Sequence, residues 1–290
     1  MPRTKPSPGV PVRWSHPLAV GLLRAWTFGE PRGRDSGGWE FYDRTPAQDR
    51  LTYTRNNADT LYTDGPAGPL FQCGADGGVA TFESRDTLDR MGWDGRSVSV
   101  VGRYQKFGSN PSLESIPLSG SGGSLLAWTR TSTSSSDDGI LLGTSTGSVY
   151  WCVDGSGKFV GAKYDTTISS GPWYTVGGSF AWNPSVGTYG GTWEVYLDGQ
   201  RRAANNYPGA GSFSGTFVTT PTLRVQRDGT SDKRLDYLYI WGRDLSPAEH
   251  AWLHDDPFDM FAPRRLSFVG TAPPPPATNN YVPLISGLGW

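Results

Sequence analysis

The sequence predicts an all-β protein, an antiparallel two-sheet sandwich of the jelly-roll type with one short helix near the C-terminus. Three observations predict it. The 290 residues include 39 Gly and 23 Pro, spread through the chain among the aromatics. Dispersed punctuation of this kind marks many short strands joined by turns. The segments between are rich in β-branched and aromatic residues, and a single segment carries both helix start and helix stop signals. Aromatics at 13% and hydrophobics at 36% of the chain argue against an intrinsically disordered polymer. A compact chain of this length buries about 75% of its extended surface, so it needs no disulfide or metal to fold.

Composition divides the chain into three regions. Residues 1–17 form a Pro-rich, basic, extended arm, residues 18–260 carry the patterned domain, and residues 261–290 form a tail. Four consecutive prolines at 273–276 make part of that tail a stiff polyproline segment. After them come Tyr281, Leu284, Ile285, Leu288 and Trp290, too apolar for a solvated end. These five, with Trp14 in the arm, are the candidate assembly contacts. Docking of the tail onto its own domain is the competing reading.

Ten segments of the middle region read as strands. They are LLRAWTFGE (22–30), GGVATFE (77–83), RSVSVVGRYQ (96–105), GGSLLAWTR (122–130) and GSVYWCVD (147–154). After these come KFVGAKY (158–164), PWYTVGGSFAW (172–182), TWEVYLDGQRR (192–202), PTLRVQRDG (221–229) and RLDYLYIWGR (234–243). Gly, Pro, Ser or Asp bounds nearly all of them. Tight hairpin turns are expected around Asp154-Gly155 and at Asp198-Gly199. In 234–243, alternation sets Leu235, Tyr237, Tyr239 and Trp241 on one face and Asp236, Leu238 and Ile240 on the other. Both faces are largely apolar, as in a strand covered on both sides. The helix is LSPAEHAWLHDDPF (245–258). Ser246 is its N-cap, Pro247 lies in the first turn, Glu249 completes a capping box, and Pro257 closes the segment.

Charge and pattern remove several function classes. Lys and Arg number 26 against 27 Asp and Glu, so no basic excess supports nucleic-acid binding. Apolar runs reach only five or six residues, too short for a membrane-spanning helix. Five prolines interrupt the first 23 residues, which is not the pattern of a secretory signal. The expected location is a virion made in the host cytoplasm. Cys73 and Cys152 are the two cysteines. Two buried thiols are favoured over a bridge, and the redox compartment stays open.

The order of these segments resembles a known family. LLRAWTFGE, FYDRT (41–45) and GPLFQCGADGGVATFE (68–83) resemble the opening of concanavalin A-like, laminin-G-type jelly rolls, which run from a WxF strand through a YD turn to a GxAxxFxG strand. GGTWEVYLDGQRR (190–202) is similar to the family's central hairpin. TLRVQRDG (222–229) with KRLDYLYIWGRDLSPAEHAWLHDDPF (233–258) is similar to its closing strand, loop and helix. The resemblance spans about residues 18–258 and implies a concanavalin A-like sandwich. The Gly usual before the closing strand is missing, where SDKRLDYL stands instead. Nothing matches the E-x-D-x-x-E strand of the glycoside hydrolases that share this sandwich.

That absence matters chemically, because glycoside hydrolysis needs two carboxylates flanking one bond. Glu83, Asp86 and Asp89 are spaced by three and cannot share a strand face. Glu194 and Asp198 can, but the hairpin turn needs Asp198. The chain therefore reads as a non-enzyme. His250 and His254 stand four apart on the helix, a zinc-capable spacing, but Glu249 precedes the first histidine and serves the cap. A solvated helix face is the better reading. His16 sits in the arm away from any obvious partner. The resemblance allows calcium in rim loops, with Asp137, Asp138, Asp228 and Asp232 as candidate ligands. Turn chemistry explains those aspartates equally well, so no cofactor is assigned. Of the 12 tryptophans, Trp26, Trp151, Trp193 and Trp241 are expected in the core. Trp182 with Tyr189, around the loop NPSVGTYGG, is the candidate exposed pair for stacking on a sugar ring.

Three functions follow in order of preference. The first is a structural and interaction protein on a virion surface, a bacteriophage capsid decoration or tail component fastened by its arms, with virion proteins and copies of itself as partners. The second is a lectin-like module for host-surface glycans. The third, disfavoured, is a glycosidase.

Overall fold

The computed structural model describes residues 5–6, 10–29, 32–33, 39–47, 50–54, 60–65, 67–73, 81–87, 90–93, 96–107, 124–129, 139–145, 148–155, 158–169, 171–183, 185, 190–208, 222–225 and 232–261. In the first third, β1 is Leu22–Thr27, β2 Arg32–Gly33, β3 Trp39–Tyr42, β4 Arg50–Thr54, β5 Thr60–Gly65 and β6 Gly68–Cys73. The middle holds β7 (Thr81–Thr87), β8 (Val98–Phe107), β9 (Ser124–Thr129), β10 (Gly139–Ser145), β11 (Ser148–Gly155) and β12 (Lys158–Asp165). The last are β13 (Trp173–Trp182), β14 (Gly191–Leu197), β15 (Gln200–Ala204), β16 (Tyr207–Pro208), β17 (Thr222–Val225) and β18 (Asp232–Trp241). One α-helix among the described residues, α1, spans Pro247–Asp255.

The strands form two antiparallel sheets, an all-β jelly roll. The front sheet runs β15-β14-β13-β8-β18-β6-β5, with β1 also paired to β18, and the back sheet runs β16-β12-β11-β10-β9-β17-β7-β4-β3-β2. Between them lies the main core, in which Trp26, Trp151 and Trp193 pack with Phe28, Phe180, Val100 and Ile240. A second apolar layer covers the outside of the front sheet. There Tyr237, Tyr239 and Trp241 meet Val12 of the arm, Leu18 just after it, and Leu253, Phe258 and Phe261 of the C-terminal turns. Trp241 is thus buried as expected, but in this outer layer.

Two neighbouring glycines on β13 let both layers close. A Cβ on Gly178 would lie 2.5 Å from the Trp151 indole in the main core. A Cβ on Gly177 would lie 2.7 Å from the His250 ring of α1 on the opposite face. Both contacts are far inside van der Waals range, so only hydrogen fits at either position.

The closing strand departs from simple alternation. Its register against β8 shifts between Leu235 and Tyr237, a bulge of the kind that adds one residue to a strand. Leu235 consequently joins Leu238 and Ile240 in the main core, not Tyr237 and Tyr239 on the outer face. The cause is a change of neighbour: Lys233–Leu235 pairs with β6, whereas Tyr237–Trp241 pairs with β1. Asp236 sits at that junction, where its carbonyl oxygen accepts the Phe28 N–H at 3.0 Å.

The local signals fare well. Ser246 Oγ accepts the Glu249 N–H at 3.3 Å while Glu249 Oε2 accepts the Ser246 N–H at 2.9 Å, the expected capping box. Asp198 and Gly199, with φ of 52° and 73°, make the hairpin turn between Leu197 and Gln200. The other turn lies later than expected, because β11 and β12 stay paired as far as Gly155 and Lys158. In FYDRT, Asp43 reaches back to β1. Its Oδ1 accepts the N–H groups of Ala25 at 2.8 Å and Thr45 at 3.0 Å, with Arg24 Nε 3.6 Å from Oδ2. Burial, the dominant influence there, raises this carboxyl to about 6.

Candidate ligand-binding surface

Two of the three histidines are buried parts of the fold. His250 is 1% exposed, which corrects the reading of this helix face as solvated. Its ring stacks on Tyr196 with centroids 3.6 Å apart, and Nε2 lies 2.8 Å from Ser179 Oγ. Ser179 Oγ in turn lies 2.8 Å from Ser99 Oγ, which accepts the Leu245 N–H at 2.9 Å. A serine beside a histidine suggests a nucleophile, but both serines and the imidazole are 3% exposed or less. The chain of hydrogen bonds instead ties α1 and its preceding loop to the front sheet. Desolvation holds the His250 imidazole down at about 3, so it stays neutral. His254 lies on the exposed side of α1, with Nδ1 3.1 Å from Thr175 Oγ1.

His16 also finds partners, contrary to expectation. Its Nδ1 accepts the Leu18 N–H at 3.2 Å, Nε2 lies 3.0 Å from Asp259 Oδ2, and its edge meets the Trp252 ring. Among the described residues no group of three or more His, Cys, Asp or Glu side chains is placed to hold a metal ion.

Glu194 and Asp198 each make bonds within the fold. Glu194 accepts from Tyr196 OH at 2.5 Å and Arg201 Nη1 at 2.7 Å. Asp198 Oδ1 accepts the Thr175 N–H at 2.9 Å inside the turn. Cys152 is a buried thiol, and the side chain of Cys73 lies outside the described residues. So do the side chains of Glu83, Asp86 and Asp232, the residues Asp89, Asp137, Asp138, Asp228 and Tyr189, and the tail with Tyr281, Leu284, Ile285, Leu288 and Trp290.

Trp182 is half-buried at the end of β13, packed against the main core, with the Arg96 guanidinium 5.2 Å from its ring centroid. That packing makes Trp182 in part a core residue.

A better-formed surface lies at the opposite end of the same strand and on the opposite face. Side chains alternate along β13, so Trp173 shares the outer face with Thr175 and Gly177. Register places Trp173 beside Gln105 of β8 and Gln105 beside Arg234 of β18. In the adjoining row Thr175 pairs with Arg103 and Arg103 with Tyr237. Helix α1 covers that second row at Tyr237, whose hydroxyl donates to Leu253 O at 3.1 Å. Beyond the helix, Trp173, Arg103, Gln105 and Arg234 are all half-buried and reach solvent. Arg234 Nη1 donates to Gln105 Oε1 at 3.2 Å. The Arg103 guanidinium lies 5.6 Å from the Trp173 ring centroid, a cation–π contact. Its nearest charge is Asp236 Oδ2 at 3.7 Å.

Asp236 is fully buried, and its main counter-charge comes from the arm. Lys5 Nζ lies 2.7 Å from Asp236 Oδ1, and both side chains are nearly inaccessible. The Lys5 N–H donates to Ala67 O at 2.7 Å, fastening the arm beside this row. The sequence did not single out Arg103, Gln105, Trp173 or Arg234. They come from three distant strands, and only the β13-β8-β18 register brings them together.

Comparison with known proteins adds a fold and no family. No family model matches the chain, and no curated protein matches it. Solved structures do. The binding domain of Paraclostridial mosquitocidal protein 1 superposes with a TM-score of 0.56 at 11% identity, over 83% of this chain and 53% of that one. The likeness is one of fold. A botulinum neurotoxin type C structure gives 0.55 at 11%, over 81% and 51%. The botulinum neurotoxin serotype D/C VPI 5993 binding domain gives 0.54 at 11%, over 81% and 52%. The chain therefore spans about half the length of the chains it matches.

Proposed function

We propose that this chain is a non-catalytic, lectin-like binding module of laminin-G-like type that holds a cell-surface glycan on the Trp173 row. The carrying observation is the cluster of Trp173, Gln105 and Arg234 with Arg103 from the adjoining row, an indole and two guanidinia with an amide, all reaching solvent on the front sheet beyond α1. An indole offers an apolar plane to a pyranose, and fixed polar groups beside it supply orientation. The structural neighbours support a binding role. The botulinum type C toxin depends on two ganglioside molecules for its passage into cells, and the D/C binding domain has been solved with SialylT and with rat synaptotagmin II. The glutamate best placed for hydrolysis, Glu194, is already bonded to Tyr196 and Arg201.

A glycan array probed with the full chain tests this reading. Binding should fall at least about tenfold in Trp173→Ala, as truncating a buried aromatic anchor does, and persist in Trp182→Phe. An array without hits, or hits indifferent to Trp173, would overturn it.

One observation bears on association with another chain as a second reading. Trp14 is 47% exposed on an arm whose Val12 is buried. If Trp14 is an assembly contact, the solution mass of the wild type rises with concentration and that of Trp14→Ser does not. Identical monomer masses for both would remove this reading.

A further inference from the structure

We infer that the Trp173 row selects a saccharide bearing a carboxylate, and that Lys5 of the arm sets this preference. The inference rests on the binding reading above and assigns the ligand's chemistry. Its basis is the state of Arg103. This side chain is 21% exposed and makes no hydrogen bond among the described residues, although a guanidinium carries five donors. Its one ionic contact among the described residues, to Asp236, is 3.7 Å long.

The long contact has a cause. Asp236 has no access to water, and Lys5 Nζ already sits 2.7 Å from it with only 6% of its own side chain exposed. A compact ammonium at that distance answers most of the carboxylate's charge, because Coulomb attraction grows as the separation shrinks and the surroundings dry. Arg103 therefore stays above the Trp173 ring instead of collapsing onto Asp236. A guanidinium partly out of water, oriented by an aromatic face and without a hydrogen bond among the described residues, fits the two oxygens of a carboxylate as a planar fork. Arg234, two strand positions away across Gln105, adds a second positive charge on the same row. A neutral sugar would use the indole and leave the guanidinium donors to water.

Lys5 acts as a positioning residue, since it lies behind Asp236 and not on the ligand surface. Without its charge, Asp236 would draw Arg103 inward and the row would lose its cationic character. Removing the charge of Asp236 as well would release Arg103 again.

The test is a titration of the full chain at low ionic strength with methyl α-D-galacturonide and methyl α-D-galactoside, which differ only in carboxylate against hydroxymethyl. The galacturonide should bind about tenfold tighter, and the advantage should shrink as salt is added. Arg103→Gln should weaken galacturonide binding far more than galactoside binding and so bring the ratio of the two affinities close to one. Lys5→Met should reduce the ratio of the two affinities, and Lys5→Met with Asp236→Asn should restore it. That ratio separates charge placement from a general loss of folding, which lowers both affinities together. Equal affinity for the two probes would overturn the inference while leaving a lectin that binds neutral glycans. An unchanged ratio in Lys5→Met would overturn the part assigned to the arm. Failure of every saccharide on the array would remove the binding reading itself.

Discussion

Replacing His250 with phenylalanine should destabilise the protein at neutral pH, and the variant should then overtake the wild type in stability as the pH falls. At pH 7 the variant keeps the stack on Tyr196 but loses the bond to Ser179, a cost of about 1–2 kcal/mol. Below pH 6.5 the unfolded wild-type chain takes up a proton on His250, whereas the folded chain resists protonation down to about 3. The unfolded state then binds more protons, so the wild type loses stability between pH 6.5 and 3, by up to about 5 kcal/mol from this residue. Phenylalanine has nothing to titrate.

The comparison has to be a difference, because Asp43 works in the opposite sense. Its carboxyl is raised from 3.8 to about 6 in the fold, so the folded state holds the extra proton between those values. Lowering the pH through that window therefore gains about 3 kcal/mol and flattens the wild-type profile. Subtracting the wild-type curve from that of His250→Phe, each from urea titrations between pH 7 and 3.5, cancels Asp43 and leaves His250. A difference that stayed constant across this range would contradict a buried neutral imidazole.

The second large effect is expected at the contact between Trp151 and Gly178. Trp151 is fully buried at the centre of the sandwich, its ring tilted against Trp193 with centroids 5.6 Å apart. Trp151→Ala should cost about 3–5 kcal/mol, from lost transfer energy and the cavity left behind, a fall in Tm of roughly 10 °C for a chain of this size. The reciprocal change adds atoms: the Cβ of Gly178→Ala would sit 2.5 Å from the indole and should cost about 1–3 kcal/mol. Combining them is informative, since the alanine methyl would enter space vacated by the indole. The double variant should be more stable than the sum of the two single losses allows. Strict additivity in thermal melts would mean that the two residues do not share that space.

Features written in a few consecutive residues were legible before the structure. The α1 cap needs only Ser246 and Glu249, and the β14-β15 turn needs only Asp198 and Gly199. The strand rich in Gly, Trp173–Trp182, was also legible, but not why two glycines stand together. Gly177 and Gly178 answer to His250 and Trp151, neighbours supplied by other segments. Position 236 shows the same limit. Alternation along β18 is broken there because its edge passes from β6 to β1, and the strand's own sequence does not encode where its neighbours stop. His250 looked solvated because polar residues surround it in sequence, although its spatial neighbours are Tyr196 and Ser179. The proposed ligand surface was least legible of all. Trp173, Arg103 and Arg234 are unremarkable separately, and cross-strand register alone makes them adjacent.

The divided edge of β18 also constrains how the chain reaches its native state. Its upstream half needs β6, its downstream half needs β1, and its other edge needs β8. Leu22 pairs with Trp241, and Lys5 meets Asp236. Contacts of such high sequence separation are slow to form, because the loop must close before any of them rewards it. During synthesis the first strand emerges early and waits for one of the last. Until β18 arrives, β1, β6 and β8 each expose an unpaired edge, the geometry that favours pairing with another chain. The last of the described strands thus acts as the keystone of the front sheet, and the passage from ribosome to finished fold is this protein's period of greatest exposure to aggregation.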